Sequence, residues 1–136
     1  MTAIVADASA LVEYLLGTEA GASVAKRVEE PANDLHTPSL CDVEVVAALR
    51  GLVAAKKLPA ARALEAIVDY ADLAITRHGH VALLERTFEL RSNFSAYDAA
   101  YVALSEALRA RLLTCDAALA RAVRAGVPGV EIVALG

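Results

Sequence analysis

One stretch limits the folds open to this chain more than any other. Ser95-Ala96-Tyr97-Asp98-Ala99-Ala100-Tyr101-Val102-Ala103-Leu104 leads on to Leu112-Leu113-Thr114-Cys115-Asp116. It reads as a capped helix, a short turn and a buried strand. Ser95 can accept a free backbone N–H at the helix start, and Asp98 three residues later completes something close to a capping box. Tyr97, Ala100, Tyr101, Leu104, Ala107 and Leu108 recur at helical spacing and predict one buried stripe. Asp98 falls at the edge of that stripe, about 100° from Tyr97. Leu112–Cys115 is short and apolar. A strand of this kind delivers its next residue, Asp116, to the carboxyl edge of a sheet, where open α/β folds place their sites.

The same pattern opens the chain. Thr2-Ala3-Ile4-Val5-Ala6 is a β-branched apolar run, and Asp7 follows it at once. Each aspartate also has an ordinary explanation. Asp7 and Asp116 suit the cap of a following helix, and the macrodipole favours Asp98 in a first turn. The functional reading requires that several of these acids arrive at one place.

The rest of the chain alternates in the same way. Ser9 is expected to open a helix over Ala10–Leu16, which Gly17 ends. A second helix runs from Thr18 or Glu19 to about Glu30, before Pro31. Leu35-His36-Thr37 is a short strand that Pro38 breaks. Ser39 then caps a helix in which Asp42 fills the capping-box position. Glu44 shares a face of that helix with Leu40, Ala47, Ala48, Gly51 and Ala55. A carboxylate buried alone there would cost several kcal/mol. It therefore either reaches water, pairs with an arginine or points into a polar pocket that needs it. Val46, Leu49 and Val53, on the far side, need a cover from a partner or from the next helix. That helix begins at Pro59 and spans Ala60–Ala71.

Further along, Leu73–Thr76 is a predicted strand. His78-Gly79-His80 has no third ligand at matching spacing and fits a loop. Val81–Arg91 is an amphipathic helix with Leu83, Leu84, Phe88 and Leu90 inward. Ala117–Arg124 is helical, and Val130–Leu135 closes the chain as a strand. The sequence shows no internal repeat, low-complexity run or linker, so one domain over residues 1–136 is expected. Strands alternating with helices predict an α/β fold with a mostly parallel sheet.

Composition narrows the function. With 57% hydrophobic and 4% aromatic residues the core is aliphatic and alanine-rich. No stretch approaches the ~20 apolar residues of a membrane span. The N-terminus meets an acid too early for a signal peptide, which makes the cytoplasm the default location. Cys41 and Cys115 lack metal-ligand spacing and read as reduced, buried apolar residues. The net charge of −4 opposes a protein that coats polyphosphate. If four acids bind cations, however, the remaining surface is balanced: 17 acids less four leaves 13, against 13 basic residues.

In a parallel sheet Asp7 and Asp116 converge if their strands are neighbours. Asp98 and Glu44 can then complete an acidic cluster. Carboxylates gathered in a low dielectric repel one another, and oxygen-only ligands suit Mg²⁺ or Mn²⁺. Such a site holds a phosphodiester, activates a water and stabilises the leaving oxygen.

These residues resemble PIN-domain ribonucleases, and most closely the VapC-type toxins of bacterial toxin–antitoxin systems. The resemblance lies in Ile4-Val5-Ala6-Asp7-Ala8-Ser9, in Thr37-Pro38-Ser39-Leu40 leading to Glu44, in Tyr97–Ala107, and in Leu113-Thr114-Cys115-Asp116. It implies a PIN-like three-layer α/β/α sandwich with a central five-stranded parallel sheet. It implies that Asp7, Glu44, Asp98 and Asp116 are catalytic and bind Mg²⁺ or Mn²⁺, with supporting hydrogen bonds from Ser9 and Thr114. It further implies an RNA substrate such as tRNA or rRNA, a cognate VapB-type antitoxin and a homodimer. Some relatives carry another acid shortly after the last one; here Ala117 and Ala118 follow Asp116. Two other classes stand beside this reading. One is a PIN-like module that binds RNA or protein without cutting. The other is a phosphatase with an Asp7 nucleophile, although Ser9 occupies the position where such enzymes carry a second aspartate.

Overall fold

The computed structural model describes residues 1–135. In chain order the elements are β1 (Thr2–Ala6), α1 (Ala8–Leu16), α2 (Glu19–Val28), β2 (Asn33–Pro38), α3 (Cys41–Ala54) and α4 (Ala60–Ala71). They continue with β3 (Thr76–His78), a 3₁₀ turn at Val81–Leu83, α5 (Leu84–Glu89), α6 (Ala96–Leu108), β4 (Arg111–Thr114), α7 (Ala117–Gly126) and β5 (Ile132–Ala134). The five strands form one sheet in the order β3-β2-β1-β4-β5, and every pairing is parallel. The expected α/β architecture is the one observed.

The sheet is buried where β1 and β4 lie. Ile4, Val5 and Ala6 are each no more than 3% exposed, although successive strand residues face opposite sides. Both faces are therefore covered, as parallel sheets require. α1 packs against α2, α3 and α4 and touches β4, while α6 lies against β1, β2 and β4 with α5 packed over it. The register Ile4↔Arg111, Val5↔Leu112 and Ala6↔Leu113 puts Asp7 beside Thr114, two residues before Asp116.

Several local expectations are corrected. α1 begins at Ala8, and its cap is Asp7 rather than Ser9: the Asp7 carboxylate accepts from the Ala10 N–H. Ser39 does not cap α3. Leu40 stands at that position without a side-chain cap, and its N–H donates to Nε2 of His80 at 3.2 Å. β3 lies at Thr76–His78, three residues later than predicted, because Leu73 and Ile75 pack on the core before the chain joins β2. α5 is shorter than predicted and turned outward, with Leu84 55% and Phe88 66% exposed.

α6 departs most from a one-sided stripe. Ala99 through Ser105 are all buried, whereas Tyr97 is 65% exposed. The helix is enclosed by the sheet and α5, so periodicity cannot select one face. Its first turn stands clear of the packed layer. α3 also differs. Its small residues Ala47, Ala48 and Gly51 face solvent, and the buried stripe is Cys41, Val45 and Leu49. α4 covers the far side of α3 only in part. An apolar groove remains between Val46, Leu49, Val53, Ala63, Leu64 and Ile67.

The α1–α2 crossing depends on Gly21. A Cβ there would lie 2.0 Å from the Glu13 carbonyl oxygen, a backbone atom that cannot swing aside. Gly51, by contrast, has no atom within 4 Å of such a Cβ. Gly21→Ala should destabilise by about 3 kcal/mol and lower Tm by about 10 °C. Gly51→Ala should stabilise by about 0.5–1 kcal/mol through helix propensity. Thermal unfolding of the two variants checks the opposite signs.

Candidate active site

The site is built at the carboxyl ends of β1, β2 and β4. Asp7 follows β1 and is 5% exposed. Its Oδ1 accepts from Ser9 Oγ at 2.7 Å and from the Ala10 N–H at 2.9 Å. Its Oδ2 accepts from Thr114 Oγ1 at 2.5 Å. Thr114 Oγ1 in turn accepts from the Asp116 N–H at 2.9 Å, and Ser9 Oγ accepts from the Cys115 N–H at 3.0 Å. Thr37, fully buried at the end of β2, donates to the Ala6 carbonyl at 2.9 Å. Short hydroxyl side chains thus tie three strand ends around one carboxylate. The supporting hydrogen bonds expected of Ser9 and Thr114 are both present.

Asp116 caps α7, with Oδ1 accepting from the N–H groups of Ala118 and Leu119 at 2.9 and 3.1 Å. Asp98 occupies the first turn of α6, where its own N–H donates to Ser95 Oγ at 3.1 Å. Its carboxylate has no hydrogen-bond partner among the described residues. Glu44 lies in the first turn of α3 and accepts from the Tyr101 hydroxyl at 2.6 Å.

Electrostatics joins three of these acids. Burial pushes the Asp7 carboxyl above its ordinary value despite three hydrogen bonds that lower it, and the Asp116 charge raises it further. Burial also raises Asp98, and again the charge of Asp116 adds to the effect. Asp7, Asp98 and Asp116 therefore share one field, while Glu44 is tied to Tyr101. None of the ion pairs among the described residues involves any of the four. Nor do any three Asp, Glu, His or Cys side chains among those residues close into a ready-made metal cage. The donor set is nevertheless oxygen-only and uncompensated by cations. It fits Mg²⁺, which is commonly held by one or two carboxylates together with water and substrate phosphate rather than by an all-protein cage.

Other residues take different places. Asp42, read from sequence as a simple cap, accepts from Tyr70 Oη at 2.6 Å and from Arg77 Nε at 2.7 Å. His36 lies between Asp34 Oδ2, at 2.7 Å, and His78 Nε2, at 2.9 Å, so the imidazoles are engaged in structural contacts. Cys41 is buried and Cys115 half-buried, and both are free thiols. Burial, then the charges of Asp7 and Glu13, push the Cys115 thiol up to about 11. Arg109 and Arg111 lie at the opposite, amino edge of the sheet, beside a concavity of about 730 Å³ that contains none of the four acids. Tyr101 was read from sequence only as a core residue. Its spacing three residues after Asp98 was the available signal that its hydroxyl lies near the site.

The raised carboxyls set a pH dependence. A group whose folded pKa exceeds its ordinary 3.8 holds a proton that the unfolded chain has released. Stability is then lost as pH rises from about 3.8 through the folded value. Asp98→Asn removes that loss. In chelator at pH 7 it should melt about 1–3 °C above the parent protein, and the difference should close below about pH 4. Melting curves across that range check it.

A family model described as the PIN domain matches residues 4–125. Ribonuclease VapC12 of Mycobacterium tuberculosis is 40% identical over 118 residues, covering 87% of this chain and 90% of the relative. The crystal structure of M. tuberculosis VapC20, described as a sarcin-ricin loop cleaving toxin, superposes with a TM-score of 0.65 at 14% identity, covering 94% of this chain and 98% of the other. A toxin–antitoxin complex from Klebsiella pneumoniae gives a TM-score of 0.61 at 17% identity, covering 96% and 95%. The structural likenesses agree with the parallel sandwich. The chain belongs to the PIN-domain family, among the VapC ribonucleases.

Proposed function

We propose that residues 1–136 form a single PIN domain acting as a divalent-metal-dependent endoribonuclease, the toxin of a type II toxin–antitoxin pair. The observation that supports this reading is that Asp7 and Asp116 follow adjacent strand ends, that the Asp116 charge acts on both Asp7 and Asp98, and that no ion pair among the described residues compensates them. Family membership supports the nuclease class. The sarcin-ricin loop named for VapC20 supports a structured RNA, tRNA or rRNA, as substrate.

Asp7, Asp98 and Asp116, with Glu44 at the margin, would hold Mg²⁺ or Mn²⁺. Such an ion supplies a water of lowered pKa and charge stabilisation at the phosphodiester. The chain's own residues do the positioning. Ser9, Thr114 and the Ala10 N–H fix the Asp7 carboxylate in one orientation. The cap bonds to Oδ1 of Asp116 hold that carboxylate at the mouth of the site. Asp98 carries a carboxylate without a partner among the described residues, which leaves it available to a ligand. With no basic residue among the described residues paired to these acids, the RNA phosphate is admitted only after their negative charge is screened.

A VapB-type antitoxin and a second copy of the chain are the proposed protein partners. The Klebsiella complex supports the first. Among the described residues no helix is long and apolar enough to cross a membrane, which is compatible with action in the cytoplasm.

Total RNA from cells expressing the parent protein should show a discrete new 5′ end. The end should be absent with Asp98→Asn, and purified protein should reproduce it with Mg²⁺ but not with EDTA. Loss of one general ligand of this kind lowers turnover by roughly 10²-fold or more. Growth arrest by both proteins without any new end would replace the nuclease with a binding module.

A further inference from the structure

The four acids of the proposed site come from four elements, and α3 and α6 share no strand ladder that would fix Glu44 against Asp98. The Tyr101 side chain joins the two helices. Tyr101 lies one helical turn below Asp98 on α6, is 2% exposed, and donates its hydroxyl to Glu44 Oε1 at 2.6 Å. Behind it lies Cys41, fully buried in the core. Tyr70 donates to Asp42, which Arg77 holds at 2.7 Å. The Tyr101 ring is enclosed by the core, and among the described residues its hydroxyl has one acceptor, Glu44.

Resting on the metal-site reading above, we infer that Tyr101 is a positioning residue, which holds the Glu44 carboxylate in one orientation at the margin of the proposed site and so sets divalent-ion affinity. The chemistry is that of an outer partner orienting a carboxylate ligand, an arrangement whose loss commonly weakens metal affinity by roughly 10–100-fold. A half-exposed glutamate has three rotatable bonds. Without the hydroxyl it samples solvent-facing rotamers, and the ion must then recruit it at an entropic cost. The ring of Tyr101 belongs to the core, and only its oxygen serves the site.

Titration calorimetry with Mn²⁺ alone, backed by the Tm in chelator, separates these roles. Tyr101→Phe should keep the fold and weaken Mn²⁺ binding by at least about 10-fold. Ser105→Ala is the control: it removes another buried hydroxyl bond of α6, from Ser105 Oγ to the Tyr101 carbonyl at 2.9 Å, and should bind Mn²⁺ as the parent does. In a Glu44→Gln background Tyr101→Phe should add little, since both changes act through one carboxylate. Glu44→Asp, which shortens the half-exposed side chain away from the hydroxyl without disturbing the core, should weaken binding as Tyr101→Phe does. It serves as the decisive variant if Tyr101→Phe does not fold. Parent-like Mn²⁺ affinity in folded Tyr101→Phe, or in Glu44→Asp, overturns the inference. If the parent protein itself binds no Mn²⁺, the metal-site reading fails instead.

Discussion

The parallel pairing of β1 with β4 is the constraint on which the site depends. The two strands are separated by more than a hundred residues of sequence, yet the register sets Ala6 against Leu113. The Asp7 N–H continues the ladder to the Leu113 carbonyl at 3.1 Å. That places two strand-ending aspartates on one edge. Neither could be brought there by local structure. Asp7 is then locked across the junction by Thr114, whose hydroxyl serves both strands: it donates to the Asp7 carboxylate and accepts from the Asp116 backbone.

The arrangement has an energetic cost. Removing a carboxylate from water is expensive, and hydrogen bonds from Ser9, Thr114 and the Ala10 N–H offset only part of it, since burial still outweighs them at Asp7. A second acid, Asp116, adds repulsion rather than relief. A fold selected only for stability would place a basic or apolar residue at this edge. Asp42 shows the contrast: burial raises that carboxyl, but Tyr70 and Arg77 together bring it below its ordinary value. The protein has the means to neutralise an acid and uses them at Asp42, not at Asp7 or Asp98.

Much of this was legible in the sequence because the central strands are short, apolar and punctuated by aspartate. β1, α4, α6 and the cap at Ser95 follow from propensity and capping chemistry. Legibility ended where tertiary packing overrides periodicity. Tyr97 sits on the helical spacing of the core, yet it is exposed because the α6 first turn lies beyond the sheet. Phe88 and Leu84 match an inward stripe, yet α5 turns them outward. The start of α3 has no side-chain cap to read, because the Leu40 N–H is taken by His80, forty residues away in sequence. Glu44 illustrates the limit at the site. Its charge and its small neighbours suggested a side chain that reaches water, an arginine partner or a polar pocket, and the actual partner is a tyrosine that periodicity assigns wholly to the core.

Cap and site residue, posed by the sequence as alternatives, are compatible in the structure. Asp7 and Asp116 are both helix caps, bonded to first-turn N–H groups of α1 and α7. Capping is the means by which the acids are held. A cap fixes one carboxylate oxygen to the backbone and leaves the side chain projecting from the helix start, at the same sheet edge where the preceding strand ends. Two such strand–cap–helix junctions on adjacent parallel strands necessarily bring two carboxylates together. Asp98 reaches the same field by another route, from the first turn of a helix capped by Ser95. Helix N-termini favour each negative charge singly, while the acids oppose one another collectively. The net effect is two carboxylates fixed by their caps and a third without a side-chain partner among the described residues, in one negative field.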